Sequence, residues 1–341
     1  MKVHVFWRIV FISVLAFTVN SFVYFSFGNI YSSKILNYQS FQEQFQSGIY
    51  QYRILSAYFL AWSYKVISSL DWNTDVFKLK FFDERADPIM FLAFYVLNTA
   101  FLVLTGIVLV LLAESKKIVA SATEKLLMIS VTILIVALSQ FVIVPYDISS
   151  YFFLMLFFLV FLEYLSENST INLIFLSIIL IIATLNRESS AISISLATAV
   201  LFTKFGSRKE CFFPVLVLII SFAIPYFGMR FWHQNFTTND GSLLFENFSQ
   251  PKNILGLLFW LVLFIFSLLL SNGTKNVRLI LLFHGSSLPY IFMCFYTGII
   301  YEFRLYIPVF LTSLFLSKMK LPENSNLKIG IKRINEDIEQ D

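Results

Sequence analysis

Apolar residues gather in blocks of membrane length or close to it, at about 9–27, 88–113, 126–144, 148–165, 171–185, 189–203, 211–229, 254–271, 279–299 and 304–317. Such blocks read as membrane helices and predict an all-α, polytopic transmembrane bundle of about ten spans. A further segment, Ile54–Leu70, is apolar but carries Lys65 with several Ser and Tyr and follows Arg53. It reads as an amphipathic helix lying on the membrane. It falls in the long first loop, 28–87, with Trp72, Phe77, Phe81 and Phe82. The chain is expected to form a single integral-membrane domain over 1–317 and a polar cytoplasmic tail over 318–341.

Only Asn186-Arg187-Glu188 separates the blocks 171–185 and 189–203. Each leg has about fifteen residues and spans about 22 Å, short of a hydrocarbon core of about 30 Å. The pair is therefore drawn into or against the bilayer, where charges are costly unless they face protein, water or each other. An intramembrane Arg–Glu pair is a functional candidate; a hairpin turn with structural pairing is the competing reading.

Composition narrows the class. Hydrophobic residues make up 58% of the 341 positions and charged ones 13%, against about 25% charged in a soluble domain. The net charge of +4 comes without a basic stripe or nucleic-acid motif, so it bears on orientation and excludes nucleic acid as a partner. Residues 1–27 lack a small-x-small cleavage site and read as a retained first helix. Cys211 and Cys294 lie in or beside different apolar blocks and are expected as free thiols.

Ten spans put both termini on one side. Lys2, Arg8, Lys116, Lys117, Lys125, Lys204, Arg208, Lys209, Lys275, Arg278 and the basic tail fall on that face, which the positive-inside rule makes cytoplasmic. The opposite face then collects Arg53, Asp83-Glu84-Arg85, Tyr146-Asp147, Arg187-Glu188, Arg230 with His233, and Glu302 with Arg304. Short spans ending in charges suggest a polar cavity open to the extracytoplasmic side. Arg53, Arg187, Arg230 and Arg304 carry rigid donor forks suited to phosphate, with Glu302 and Tyr146 as further substrate contacts. Asp147 and Glu188 are candidate bases, because burial raises a carboxylate towards neutrality. The blander readings are an N-cap for Asp147, an aromatic belt for His233 and a local salt bridge for Glu302 with Arg304.

No HExxH, CxxC, nucleotide-binding glycine loop or GxSxG elbow occurs. No protein-held metal or cofactor is expected; a divalent cation would enter, if at all, with the substrate phosphate. Asn-x-Ser/Thr matches at Asn168, Asn235, Asn247 and Asn272 read as chance, since two fall in predicted cytoplasmic loops.

A first helix, a long outer loop with a surface helix, a bundle of short-looped spans and charges at outer helix ends (Asp147, Arg187-Glu188, Glu302/Arg304) together resemble the GT-C class of membrane glycosyltransferases. The likeness is architectural and covers most of 1–317. It implies sugar transfer from a polyprenyl-phosphate carrier to a lipid-linked or cell-envelope glycan, in a bacterial inner membrane. Those enzymes usually carry an acidic residue early in the first outer loop, whereas Gly28–Ser40 has none, so the base is sought at Asp147 or Glu188. A Wzy-like polysaccharide polymerase is the nearest alternative. A transporter or flippase for an anionic lipid-linked solute is the second, although no repeated halves are evident.

Overall fold

The computed structural model describes residues 3–26, 34–70, 73–81, 83–234 and 241–320. Trp72, Phe82, Asn235 and most of the predicted tail, 321–341, lie outside the described residues. Among the described residues the chain is helical: α1 Val3–Ser26, α2 Tyr38–Phe45, α3 Ile54–Ser68, α4 Pro88–Glu114, α5 Ala122–Leu138, α6 Asp147–Glu167, α7 Thr170–Asn186, α8 Ala191–Phe205, α9 Lys209–Trp232, α10 Leu244–Ser249, α11 Pro251–Leu269, α12 Thr274–Ser286, α13 Leu288–Thr297 and α14 Ile307–Ser317.

All ten apolar blocks fall on helices, but fewer than ten are of spanning length. Six helices among the described residues are long and apolar enough to cross a membrane, or seven if the pair α12–α13, bent by 52°, counts as one span. Pro289 in the first turn of α13 gives that break a cause, since it cannot continue the ladder of α12. The block at 171–203 is two helices of 17 and 15 residues, and α14 has only 11. At ~1.5 Å per residue none of the three bridges a ~30 Å hydrocarbon layer unaided.

Helix α14 tolerates its shortness because protein surrounds it. All 11 of its residues are buried, against α5, α6, α8, α11 and α12. With α4 and α6 it forms the centre, where Phe157, Phe158, Phe161 and Phe315 are fully enclosed. The outer helices present the opposite face: Phe11 and Phe17 on α1, Phe212 and Ile224 on α9, and Leu255 and Val262 on α11 are all exposed. An apolar exterior of this extent is what lipid solvates and water does not.

The segment expected to lie on the membrane is helix α3. It buries Ser56, Ala57, Leu60 and Ser63 against α4 and α7 and leaves Tyr58, Phe59 and Trp62 outside. Cys211 and Cys294 are free and buried. Asn247 explains one chance glycosylation match: 2% exposed, it donates to the carbonyls of Phe295 and Gly298 and accepts from Ile300 N–H.

Helix ends sort into two groups. At one end Arg8 pairs with Glu114, Lys318 with Glu124, and Lys204 Nζ donates to the Leu165 carbonyl at 2.9 Å. At the other meet the N-termini of α3, α6, α8 and α14 and the C-termini of α7 and α9, through the side chains described next.

Candidate functional site

Each charged group of the site stands where a helix begins or stops. Arg53 ends the 3-10 turn Gly48–Tyr52 and opens α3. Asp147 is the first residue of α6, one position inside the N-cap Tyr146. Arg187 caps α7 in extended conformation, and Glu188 starts the 3-10 turn leading to α8. Arg230 lies in the last turn of α9, and Arg304 in the 3-10 turn Phe303–Leu305 before α14. Backbone hydrogen bonding stops at such positions, so side chains there leave the helix surface and converge.

The eight residues singled out by sequence form one network. Arg187 donates to Asp147 Oδ1, while Arg304 Nη1 donates to Oδ2 at 2.7 Å. Arg304 Nε and Nη2 both donate to Glu302 Oε2, at 2.9 and 2.5 Å. Arg53 Nε donates to Glu188 Oε2 at 3.0 Å, and Arg230 Nη2 stands 3.9 Å from Glu188 Oε1. Tyr146 lies beneath Arg53 and Arg187, with guanidinium-to-centroid distances of 4.4 and 5.5 Å. Burial works against the charge on Arg53, but Glu188 together with Tyr146 and Tyr50 outweighs it, so its pKa lies above the ordinary arginine value and the group stays a cation.

Four arginines face three carboxylates, which leaves a net positive charge at the cluster. The partners do not follow the chain. Glu188 pairs with Arg53 and Arg230 and not with its neighbour Arg187, which turns to Asp147. The pairing therefore fastens α3, α6, α7, α9 and the approach to α14 to one another.

Beside this network lies a cavity of about 210 Å³ with Arg53, Arg304, Glu302, Tyr146, Tyr50 and Gln44 as its polar lining. Phe41 and Phe45 of α2 and the stretch 142–144 supply apolar wall. Asp147, Arg187, Glu188 and Arg230 do not line it. Asp147 is wholly enclosed, each carboxylate oxygen held by a different arginine; it neither caps α6 nor faces the cavity. Two carboxylate oxygens remain unengaged by hydrogen bonds. Glu302 directs both of its bonds through Oε2, and Glu188 Oε1 is buried without a hydrogen-bond partner. His233, expected in an aromatic belt, stands edge-on to Tyr52 with centroids 5.8 Å apart.

Sequence reasoning assigned no role to the residues that hold this geometry. Asn186 is fully buried; its amide donates to the Tyr146 carbonyl at 3.2 Å and its oxygen accepts from Ser149 at 3.0 Å and from Ser56. Tyr151 and Tyr290 fix the turn before α14 by donating to the carbonyls of Arg304 and Leu305, at 2.9 and 2.8 Å. Arg230 lies over Tyr226 and Tyr52 at 3.7 and 4.4 Å. The available signal was proximity in sequence: Tyr52 adjoins Arg53, and Tyr226 is one helical turn before Arg230.

No protein-family model, curated protein or solved structure matches this chain.

Proposed function

We propose that the protein is a multi-pass membrane glycosyltransferase that moves a sugar from a polyprenyl-phosphate carrier to a lipid-linked or cell-envelope acceptor on the extracytoplasmic face of a bacterial inner membrane. The observation that carries this reading is the cavity at one end of the bundle, where Arg53 and Arg304 stand beside Glu302. Paired guanidinium groups suit the charge and geometry of a phosphate. The apolar wall from Phe41 and Phe45 suits the first units of the carrier's chain. The lysine-rich opposite end, placed in the cytoplasm by the positive-inside rule, orients the cavity outward, with both termini inside. In this orientation the bent and short helices complete a bundle of about ten membrane segments, and the 28–87 region lies outside.

In the proposed reaction an acceptor hydroxyl gives its proton to a carboxylate and its oxygen attacks the sugar's anomeric carbon. The bond from that carbon to the carrier phosphate breaks, and the departing phosphate keeps the electron pair beside Arg53 and Arg304. Glu302 is best placed as the base, because it lines the cavity and has an oxygen free of hydrogen bonds. Glu188 is the second candidate, through its unpartnered Oε1. Asp147 serves as the counter-charge that holds Arg187 and Arg304 in place.

The test is glycan output in cells expressing Arg53→Ala or Glu302→Gln, with membrane insertion checked for each. Either change should lower output at least tenfold and leave charged carrier accumulating; full output from both would reject the assignment. A ladder of repeats from the unaltered protein would favour the polymerase reading. Movement of labelled carrier across vesicles without sugar transfer would favour the transporter.

A further inference from the structure

The stretch Tyr50–Ile54 is a wall with two faces. Tyr50 and Arg53 line the phosphate-suited cavity, whereas Gln51 and Ile54 line a second and larger one of about 580 Å³. The division falls at the junction of the 3-10 turn Gly48–Tyr52 with α3, where Arg53 joins the two. Phe45 borders both cavities, so a single layer of side chains separates them.

The second cavity has a different chemistry. Its polar lining is Gln46, Gln51 and His233, and its broad surfaces are Trp232, Tyr58 and Phe45. No lysine, arginine or carboxylate is among its lining residues. The nearby Arg230 is directed to Tyr226, Tyr52 and Glu188. Gln51 is 9% exposed, and its side-chain nitrogen is buried without a hydrogen-bond partner. A buried amide donor left unpaired is costly, so an acceptor oxygen arriving there is favoured. An anion would find no cation on this wall, and a bare hydrocarbon chain would leave the amides and imidazole unsatisfied. Flat aromatic faces with neutral hydrogen-bonding groups suit a ring that is apolar on its faces and hydroxylated at its edge.

We propose that this second cavity binds a neutral sugar ring, with Trp232 or Tyr58 against the ring face and Gln51 donating to a ring hydroxyl or ether oxygen. The proposal rests on the transferase reading and extends it: the second cavity holds a sugar unit of the glycan away from the reacting hydroxyl, beside the cavity in which transfer takes place. Tyr52 joins the second cavity to the arginine network, because His233 meets its ring edge-on while Arg230 lies over it.

Saturation-transfer NMR on the full-length protein in lipid nanodiscs tests this, with methyl β-maltoside as the neutral probe, glucose 1-phosphate as the anionic one and empty nanodiscs as the blank. Gln51→Leu should lower transfer to the maltoside at least about fivefold, as expected for one lost hydrogen bond, and leave the phosphate signal unchanged. Trp232→Ala should do the same; that side chain is 83% exposed, so its removal spares the core. Arg53→Ala should lower only the phosphate signal. Absence of maltoside transfer in the unaltered protein, or its persistence in both variants, overturns the sugar-site proposal. A phosphate signal indifferent to Arg53→Ala counts instead against the transferase reading.

Discussion

The two ends of the bundle use ionic groups in different ways. At the lysine-rich end the contacts are separate pairs at helix ends: Arg8 and Lys125 share Glu114, Lys318 meets Glu124, and Ser121 with Glu124 forms a capping box at the start of α5. Each satisfies a helix terminus or steadies a short connection. At the other end four arginines and three carboxylates interlock across five segments, and Asp147, Arg187 and Arg230 are almost wholly buried. Charges so placed bear a desolvation penalty, greatest for Asp147, and buried ion pairs are a poor way to gain stability. A fold needing only closed helix ends would use the first arrangement at both. The second has a cavity beside it lined by two of its arginines and a carboxylate, whereas the cavities at Arg278 and at Lys209 are each lined by a single charged side chain.

The largest test of this contrast is Asp147→Asn. It keeps the shape of the side chain and removes the one charge that Arg187 and Arg304 share. Arg187 then loses its carboxylate partner while Arg304 keeps Glu302, and the buried, unpaired guanidinium should destabilise the protein by about 3–5 kcal/mol, read as a fall in melting temperature of the purified protein. Adding Arg187→Gln to that variant removes the stranded charge and should recover part of the loss, which a double-mutant cycle isolates. If Asp147→Asn melts like the unaltered protein, the network is not the joint the geometry makes it.

A smaller effect is expected where backbone, not charge, positions the site. Gly256 of α11 lies so close to the 300–301 stretch that an added Cβ would fall 2.1 Å from the Ile300 carbonyl oxygen. That contact sets the position of the chain just before Glu302 and Arg304. Gly256→Ala must displace backbone on one side, at a cost of about 1–3 kcal/mol. Because the displaced stretch leads into the cavity wall, binding of glucose 1-phosphate should weaken along with the melting temperature. Loss of stability with intact binding would show that the 302–304 turn is held by Tyr151 and Tyr290 alone.

Much of this was legible in the chain, because hydropathy reports burial in lipid and charge inside an apolar block reports cost. The apolar helices and the break at Asn186-Arg187-Glu188 follow from those two signals, and the positive-inside rule gathers the seven charged residues that meet at one end. The pairing was not legible. Arg304 reaches Asp147 across 157 positions and Arg53 reaches Glu188 across 135, and nothing local distinguishes those partners from Arg187 beside Glu188. The same holds for span number. Hydropathy cannot tell α14, short because protein encloses it, from a helix short because the membrane is thin there. Asp147 shows the limit most sharply: a carboxylate before an apolar helix reads as a cap or a base, and only its two distant arginines make it a strut.

The smallest expected effect belongs to the lysine-rich end. Lys125 Nζ stands 3.9 Å from Glu114 Oε2, and Glu114 keeps its contact with Arg8 when Lys125 is gone. Lys125→Ala therefore strands no charge, and the loss should stay within about 1 kcal/mol, as for peripheral ion pairs. Glycan output and both probe signals should be unchanged, because Lys125 lines neither cavity. If this change lowered the melting temperature as far as Asp147→Asn, the two ends would be energetically alike. The arginine cluster would then be one more way of closing helix ends, and its placement beside a cavity would lose its claim to function.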